Sequence, residues 1–373
     1  MQSDQQFMQR ALDVAKQGEG FVEPNPMVGC VIVRDGTILG EGYHATFGGP
    51  HAEIEAIRAT EGNTVGATCY VTLEPCSHYG KTSPCTTAVL NAAFKRLVVA
   101  MQDPNPQVNG RGLQLLRKAG LEITEGVLED KSRYINAPYL TCLTKNRPWI
   151  IAKWAMTLDG RLASRTGNSQ WISCDASREV VHRLRSRMDA VLIGSRTALL
   201  DDPLLTVRLP EGSDVPPRRP LRIVFDSQAV TPPTGQLAQT AKETQVLIVI
   251  GPTSPPQRVA ELEKTGCEIF HAGGSTYPER FQSLFKYLVH RGVTNLLVEG
   301  GGGLFGGLFD LQMIDEVHAF IAPKLIGGDT AVAAVSGIGL PDMPAAAVID
   351  EPQVHIVNHD VYMHGRVRYA VRC

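Results

Sequence analysis

The sequence predicts an α/β protein of two domains, each a three-layer α/β/α sandwich with helices on both faces of a sheet. Three observations predict it. The chain has 373 residues, enough for two domains at ~100–200 residues each. Strand-like and helix-like patterns alternate in both halves, as they do where helices cross a sheet. A polar stretch, Thr144-Lys145-Asn146-Arg147-Pro148, ends in proline and precedes a fresh strand. We place the boundary there, giving domains 1–146 and 147–373.

The first domain starts with a helix. Ser3 or Asp4 caps it, and Phe7, Met8, Ala11, Leu12, Val14 and Ala15 form an apolar face at helical spacing. A hairpin follows, with strands at 28–33 and 37–43 around an Asp35-Gly36 turn. Next come a helix at 51–59, a strand at 67–73, a helix at 84–94, a strand at 96–101, a helix at 112–119 and a strand at 122–127. The order αββαβαβαβ puts helices on both faces of one sheet. Beyond the boundary, strands are predicted at 149–155, 190–194, 221–225, 245–250, 295–299 and 316–322. Residues 211–220 are rich in Pro and Arg and read as a surface loop. Residues 354–371 alternate around a turn near Met363-His364-Gly365, as a closing hairpin does. The second sheet is therefore mostly parallel with an antiparallel edge. Pro24-Asn25-Pro26 is echoed by Pro104-Asn105-Pro106, and both read as rigid turns.

Composition excludes several classes. The formal net charge is −2, whereas a nucleic-acid binder shows a basic excess. The N-terminus has no apolar core of the signal-peptide kind, and no apolar run is long enough to span a bilayer. Eight cysteines are too sparse for a disulfide scaffold and read as thiols or metal ligands. The expected setting is cytoplasmic, without nucleic-acid or membrane partners.

The densest chemistry lies in His51-Ala52-Glu53, Pro75-Cys76 and Pro84-Cys85. A hydrolytic zinc takes three protein ligands and keeps one position open. His51, Cys76 and Cys85 supply three, each at the predicted start of a helix, where the dipole favours a thiolate. Glu53, two residues past His51, is free to carry protons between water, a ring nitrogen and departing ammonia. This division of labour is that of the zinc nucleobase deaminases. Eight residues separate the two cysteines, where two are usual. The insertion reshapes the pocket wall and brings His78 and Lys81 toward an anionic group of the substrate. Cys30 or Cys69 is a fourth ligand if the zinc is purely structural; both fall in predicted strands and otherwise belong to the core. Asn25 and His44 lie near the same end of the sheet, as pocket residues or as plain turn residues.

In the second domain, Gly301, Gly303 and Gly306 follow a strand and match G-x-G-x-x-G at a helix start. Backbone N–H groups there suit a pyrophosphate; tight helix–strand packing is the alternative. No acidic residue ends the following strand, so the match to a Rossmann fingerprint is poor. Ser169, Arg185 and Arg208 carry groups suited to a phosphate, or form an ordinary solvated surface.

Taken together, Asn25-Pro-x-Val-Gly29, His51-Ala-Glu53, Thr72-Leu-Glu-Pro-Cys-Ser-His78, Pro84-Cys85, Gln102-Asp-Pro-Asn-Pro106, Leu158-Asp-Gly-Arg161, Asp201-Asp-Pro203 and Glu299-Gly-Gly301 resemble the bacterial bifunctional deaminase–reductases of riboflavin biosynthesis. The resemblance covers nearly the whole chain in order. It implies a cytidine-deaminase-like first domain and a dihydrofolate-reductase-like second domain. It implies deamination of 2,5-diamino-6-ribosylamino-4(3H)-pyrimidinone 5′-phosphate, then reduction of the ribosyl chain by NADPH. It implies one zinc ion per chain and a homo-oligomer, dimer or tetramer. By position, Ala155, Trp171, Thr197, Asp201, Ser227, Gly301, Gly302, Gly303, Leu304, Phe305, Gly306 and Gly307 would contact NADPH. Ser169, Arg185, Leu205, Arg208 and Glu299 would line the sugar-phosphate site. Ser83 departs from the proline the family carries before Pro84, which bears on the loop and not on the ligands.

Overall fold

A computed structural model describes residues 3–79, 83–213 and 218–370. The chain divides into two compact units, Met1–Asn146 and Arg147–Cys373.

The first unit runs α1 (Asp4–Ala15), β1 (Gly29–Arg34), β2 (Thr37–Tyr43), α2 (Ala52–Ala59), β3 (Thr68–Leu73), α3 (Cys85–Asn91), β4 (Arg96–Met101), α4 (Arg111–Lys118), β5 (Glu122–Glu125), α5 (Glu129–Ile135) and α6 (Ala137–Lys145). The sheet order is β2-β1-β3-β4-β5, with β1 antiparallel to β2 and β3, and β3, β4 and β5 parallel. Inner strands alternate sides, so each face has its own core. Cys30, Ile32, Cys69 and Val71 pack with Leu97, Val99, Leu113 and Leu116 on one face. Val31, Val33 and Tyr70 pack on the other with Phe7, Met8, Ala11 and Leu12 of α1. The pattern of α1 was legible because its buried residues recur at helical spacing. The helices α5 and α6 were not read from the sequence. Their buried residues are few, Ser132 in α5 and Thr141 in α6, so no apolar stripe marks them.

The second unit runs β6 (Trp149–Thr157), α7 (Asp175–Arg185), β7 (Ala190–Gly194), α8 (Ser195–Asp201), β8 (Leu221–Phe225), α9 (Gln236–Gln239), β9 (Val246–Ile250), α10 (Pro256–Thr265), β10 (Glu268–His271), α11 (Tyr277–His290), β11 (Asn295–Val298), α12 (Gly302–Asp310), β12 (Glu316–Ala322), β13 (Val348–Val357) and β14 (Asp360–Arg368). The nine-stranded sheet is ordered β10-β9-β8-β7-β11-β6-β12-β14-β13. It is parallel from β10 to β12, and β14 and β13 close it antiparallel. Strands covered on both faces read as continuous apolar runs, and every residue of β8 and β9 is buried. The capping box of Thr276 and Glu279 starts α11, which buries Phe281, Leu284, Phe285 and Leu288.

The closing hairpin differs from its expected form. The turn lies at Asn358-His359, with Asn358 at φ 54, and not at Met363-His364-Gly365. Gly365 sits inside β14 because the register of β13 shifts between Asp350 and Gln353. A Cβ at Gly365 would meet the Ile349 side chain at 2.6 Å and the Asp350 carbonyl at 3.1 Å. A glycine that admits a bulge reads in sequence as a turn.

Candidate metal centre and cofactor cavity

Parallel strands open their carboxyl ends to ligands, and both sites lie there. In the first unit, β3 ends at Leu73 and runs into Glu74-Pro75-Cys76. His51 is the extended residue before α2, with φ −78 and ψ 162. Glu53 follows in the first turn, and Cys85 opens α3 behind Pro84. His51 Nδ1 stands 3.1 Å from Cys85 Sγ and 3.5 Å from Cys76 Sγ. All three ligand atoms lie within 4.8 Å of one another. Zinc bonds of ~2.1 Å to nitrogen and ~2.3 Å to sulfur in a tetrahedron put N and S about 3.5 Å apart. The donor set and its spacing therefore fit zinc. Cys76 follows a strand directly and opens no helix, contrary to the sequence reading. Its sulfur nevertheless accepts the Cys85 N–H at 3.3 Å, so it still faces the N-terminus of α3.

The electrostatics suit the ligands. The hydrogen bond from Cys85, outweighing burial and helped by His51, pushes the Cys76 thiol down to about 4. The same contact, with burial, pushes Cys85 up. Glu53 is 3% exposed. Burial, then the charge of Cys76, raises its carboxyl above the ordinary value. His44 Nδ1 donates to the Pro50 carbonyl at 2.9 Å, and Nε2 lies 3.1 Å from Asn25 Nδ2. Burial lowers the pKa of His44 and favours the neutral ring.

A cavity of about 270 Å³ joins these groups. His51, Glu53, Cys76, Asn25, His44 and His78 line it. Lys81 lies outside the described residues. Cys30 and Cys69 pair with each other in the core, sulfurs 3.4 Å apart. Sequence reasoning missed Glu74, Asp103, Asn105 and Tyr139 on the cavity wall. The echo of Asn25 and Asn105 between prolines was the available signal. It was read as turns alone, yet both asparagines reach one cavity. Glu74 ties the wall together: it accepts N–H bonds from Asp103 and Gly110 on Oε2 and from Gly112 and Leu113 on Oε1.

In the second unit a cavity of about 780 Å³ opens at the ends of β6, β7, β8 and β11. Ala155, Ser169, Trp171, Thr197, Asp201, Ser227, Glu299, Gly301, Gly302, Gly303 and Leu304 line it. Ser169 donates to Asp201 Oδ1 at 3.1 Å. At Gly194 and Gly303 a Cβ would meet nothing within 4 Å, so the wall leaves room for a ligand against bare backbone. The first N–H groups of α12 lie there too, as an anion site requires. This wall fits the phosphates of a dinucleotide.

Other expected contacts lie elsewhere. Phe305 is fully buried and packs edge-on against Trp154. A Cβ at Gly306 would strike the Ser336 carbonyl at 2.1 Å, and one at Gly307 the Tyr277 ring at 2.7 Å. These three pack α12 and are not among the cavity's lining residues. Leu205 belongs to the core beneath the sheet. Arg208 is exposed, and its N–H donates to His182 Nδ1 at 3.2 Å. Arg185 is buried against Glu299. Sequence reasoning missed Lys153, which lines the cavity 3.9 Å from Glu299 Oε2. Burial lowers the pKa of its ammonium, against the opposing pull of Glu299.

Among the described residues no helix is long and apolar enough to cross a membrane. Residues 1–101 match the zinc-binding region of cytidine and deoxycytidylate deaminases. Residues 148–362 match the RibD C-terminal domain. The chain is 38% identical to riboflavin biosynthesis protein RibD of Escherichia coli (strain K12), covering 97% of this chain and 98% of that protein. It is 36% identical to RibD of Actinobacillus pleuropneumoniae, covering 97% and 94%. Among solved structures, RibD of Acinetobacter baumannii (form 1) matches with TM-score 0.85 and 33% identity, covering 98% of this chain and 99% of that one. The deaminase/reductase of Thermotoga maritima matches with TM-score 0.82 and 34% identity, covering 98% and 99%. A deaminase zinc region followed by a RibD reductase domain, matched end to end by whole relatives, makes this chain a member of the RibD family, the bifunctional deaminases and NADPH-dependent reductases of riboflavin biosynthesis.

Proposed function

We propose that residues 1–146 carry the deaminase and residues 147–373 the reductase, with the roles divided as follows. The observation that supports the first half is the cluster of His51, Cys76 and Cys85 beside a cavity that His51, Cys76 and the buried Glu53 line. His51, Cys76 and Cys85 hold zinc, which when bound supplies the Lewis acidity that makes water nucleophilic near neutral pH. Glu53 accepts the proton of the attacking water. It returns protons to the ring nitrogen and to the departing ammonia of the diamino pyrimidine nucleotide. Asn25 and His44 orient the ring, and His78 and Lys81 meet the phosphate.

In the second unit Gly301, Gly302, Gly303, Thr197 and Ser227 would hold NADPH, which would supply a hydride. Ala155, Trp171, Asp201 and Leu304 complete its site. The ribosyl end of the deaminated nucleotide lies by Ser169, Lys153 and Glu299. Lys153, on the cavity wall, would hand a proton from Nζ to the sugar oxygen released when the ring opens. Arg185 keeps Glu299 ionised and in place; the exposed Arg208 is assigned to the phosphate. Catalysis here rests on positioning. The reading carries with it a cytoplasmic setting and a homo-oligomer, dimer or tetramer.

The test follows ammonia release and NADPH oxidation together in wild type and Glu53→Gln. The variant is expected to release no ammonia, and to oxidise NADPH only when given the deaminated nucleotide. Ammonia release at the wild-type rate by the variant would remove Glu53 from its role.

A further inference from the structure

A second group of metal-ligand side chains lies in the reductase unit. Cys174 is the extended residue before α7, with φ −75 and ψ 170. His359 and Asp360 come from the turn into β14. The ligand atoms of these three residues lie within 4.8 Å of one another. Asp360 is fully buried. Its Oδ2 accepts the Cys174 N–H at 2.8 Å and the Ser177 hydroxyl at 2.7 Å. Its Oδ1 is buried with no hydrogen-bond partner. A carboxylate oxygen left so is costly. His359 Nε2 stands 3.9 Å from it, too far for a hydrogen bond and about 0.5 Å beyond the ~3.4 Å that tetrahedral zinc bonds set between N and O. The His359 side chain is 62% exposed and turns at little cost. The Cys174 thiol contacts the Ser177 hydroxyl at 3.4 Å and the Val357 carbonyl at 3.5 Å.

We propose that Cys174, His359 and Asp360 form a second site for a borderline-soft divalent cation of the zinc class, separate from the deaminase centre. Sulfur, imidazole and carboxylate are the zinc donor types, and water fills the fourth position. A thiolate and a carboxylate carry two negative charges, which a divalent ion neutralises; the thiol proton leaves to solvent. Cys174 N–H and Ser177 already orient the carboxylate from behind, as outer-shell partners of metal ligands do. The bound ion ties the β13–β14 turn to the first turn of α7. Ile172, Ser173 and Arg178, around that turn, line the cofactor cavity, so the ion braces one of its walls.

A third group, Glu316, His318 and His364, also clusters. There both nitrogens of His318 and both oxygens of Glu316 already have partners in Tyr362, Trp149 and each other. Among the described residues, none of its side-chain atoms is both buried and without a partner.

The test uses the full chain, stripped by chelator, reloaded with Zn2+ alone and freed of excess. Metal per chain is read by mass spectrometry. Wild type is expected to hold two equivalents, and Cys174→Ser and His359→Ala one each. His359→Ala changes an exposed turn residue, so it keeps a folded protein should Cys174→Ser disturb α7. In Co2+-loaded Cys76→Ser/Cys85→Ser protein, the near-ultraviolet thiolate-to-cobalt band is expected to persist and to vanish on adding Cys174→Ser. One equivalent in wild type overturns the proposal. So does a second equivalent that survives both substitutions, or one lost in His364→Ala instead.

Discussion

Arg185 and Glu299 grip one another in a two-point ion pair, Nε to Oε1 at 2.8 Å and Nη2 to Oε2 at 3.0 Å. Their side chains are 8% and 9% exposed. The third arm of the guanidinium donates to the Thr206 carbonyl at 2.6 Å. Arg185 comes from the end of α7 and Glu299 from the end of β11, so the pair joins a helix to the sheet at the edge of the cofactor cavity. Removing one partner strands a buried charge, which costs about 3–5 kcal/mol. Arg185→Ala is expected to lose that much in denaturant unfolding of the reductase unit, and Arg185→Met/Glu299→Leu clearly less. Equal losses in the two proteins would show that the pair is held by packing alone.

Acid sensitivity follows from two groups. Burial raises the Glu299 pKa, but Arg185 and Lys153 outweigh it, so the folded value lies below the ordinary 4.5. Its stabilisation is present above 4.5 and is lost as pH falls through the lower folded value. His182 is pushed down to about 4 by burial, then by Arg185 and Arg208, against the pull of Glu299. The unfolded chain therefore takes up this proton first. Stability is expected to decline as pH drops from 6.5 toward 4. His182→Gln, whose side-chain oxygen can accept the Arg208 N–H, is expected to flatten that decline in urea titrations. An unchanged slope would assign the decline elsewhere.

Two glycines of one turn are expected to separate binding from packing. Gly303 has open space where a Cβ would stand, while Gly306 meets the Ser336 carbonyl at 2.1 Å. Gly303→Ala is expected to raise KM for NADPH several-fold with Tm unchanged. Gly306→Ala forces a backbone shift, with a destabilisation of about 1–3 kcal/mol. A Gly303→Ala protein with wild-type KM would remove that residue from the cofactor site.

Loss of the deaminase ligands is expected to be local. Cys85→Ser should lower bound zinc by one equivalent and abolish ammonia release. NADPH oxidation with the deaminated nucleotide should persist, since the chain forms two compact units, Met1–Asn146 and Arg147–Cys373. Loss of both activities would show that the units depend on one another.

Glu74 offers a test of indirect positioning. Its carboxylate accepts four backbone N–H groups from the 103–113 segment, and Asp103 and Asn105 of that segment line the deaminase cavity. Glu74→Gln exchanges one acceptor oxygen for a donor facing N–H groups, at about 1–3 kcal/mol. It is expected to raise KM for the diamino nucleotide while zinc content stays at the wild-type level. An unaltered KM would leave Glu74 a stability residue only.

Local pattern alone carries the alternation of strands and helices, the boundary region near Pro148 and the zinc-type donors His51, Cys76 and Cys85. Apolar runs such as 246–250 and motifs such as His-Ala-Glu are local, and local patterns survive in a linear reading. It also supplied the glycine turn, but not which glycines face a ligand. Gly303 and Gly306 look alike in sequence; only the approach of Ser336 to one of them separates their roles. Arg185 looked like a phosphate ligand until the fold set Glu299 against it, 114 residues away. Lys153 read as one more strand residue, and became a cavity group because β11 and β12 flank β6. Asn25 reads as a pocket or a turn residue and Asn105 as a turn; both line one cavity because β1 begins and β4 ends at the same end of the sheet. A residue's type sets which chemistry it can do. What stands beside it, across a sheet order that no local pattern encodes, decides whether it does that chemistry or holds the fold.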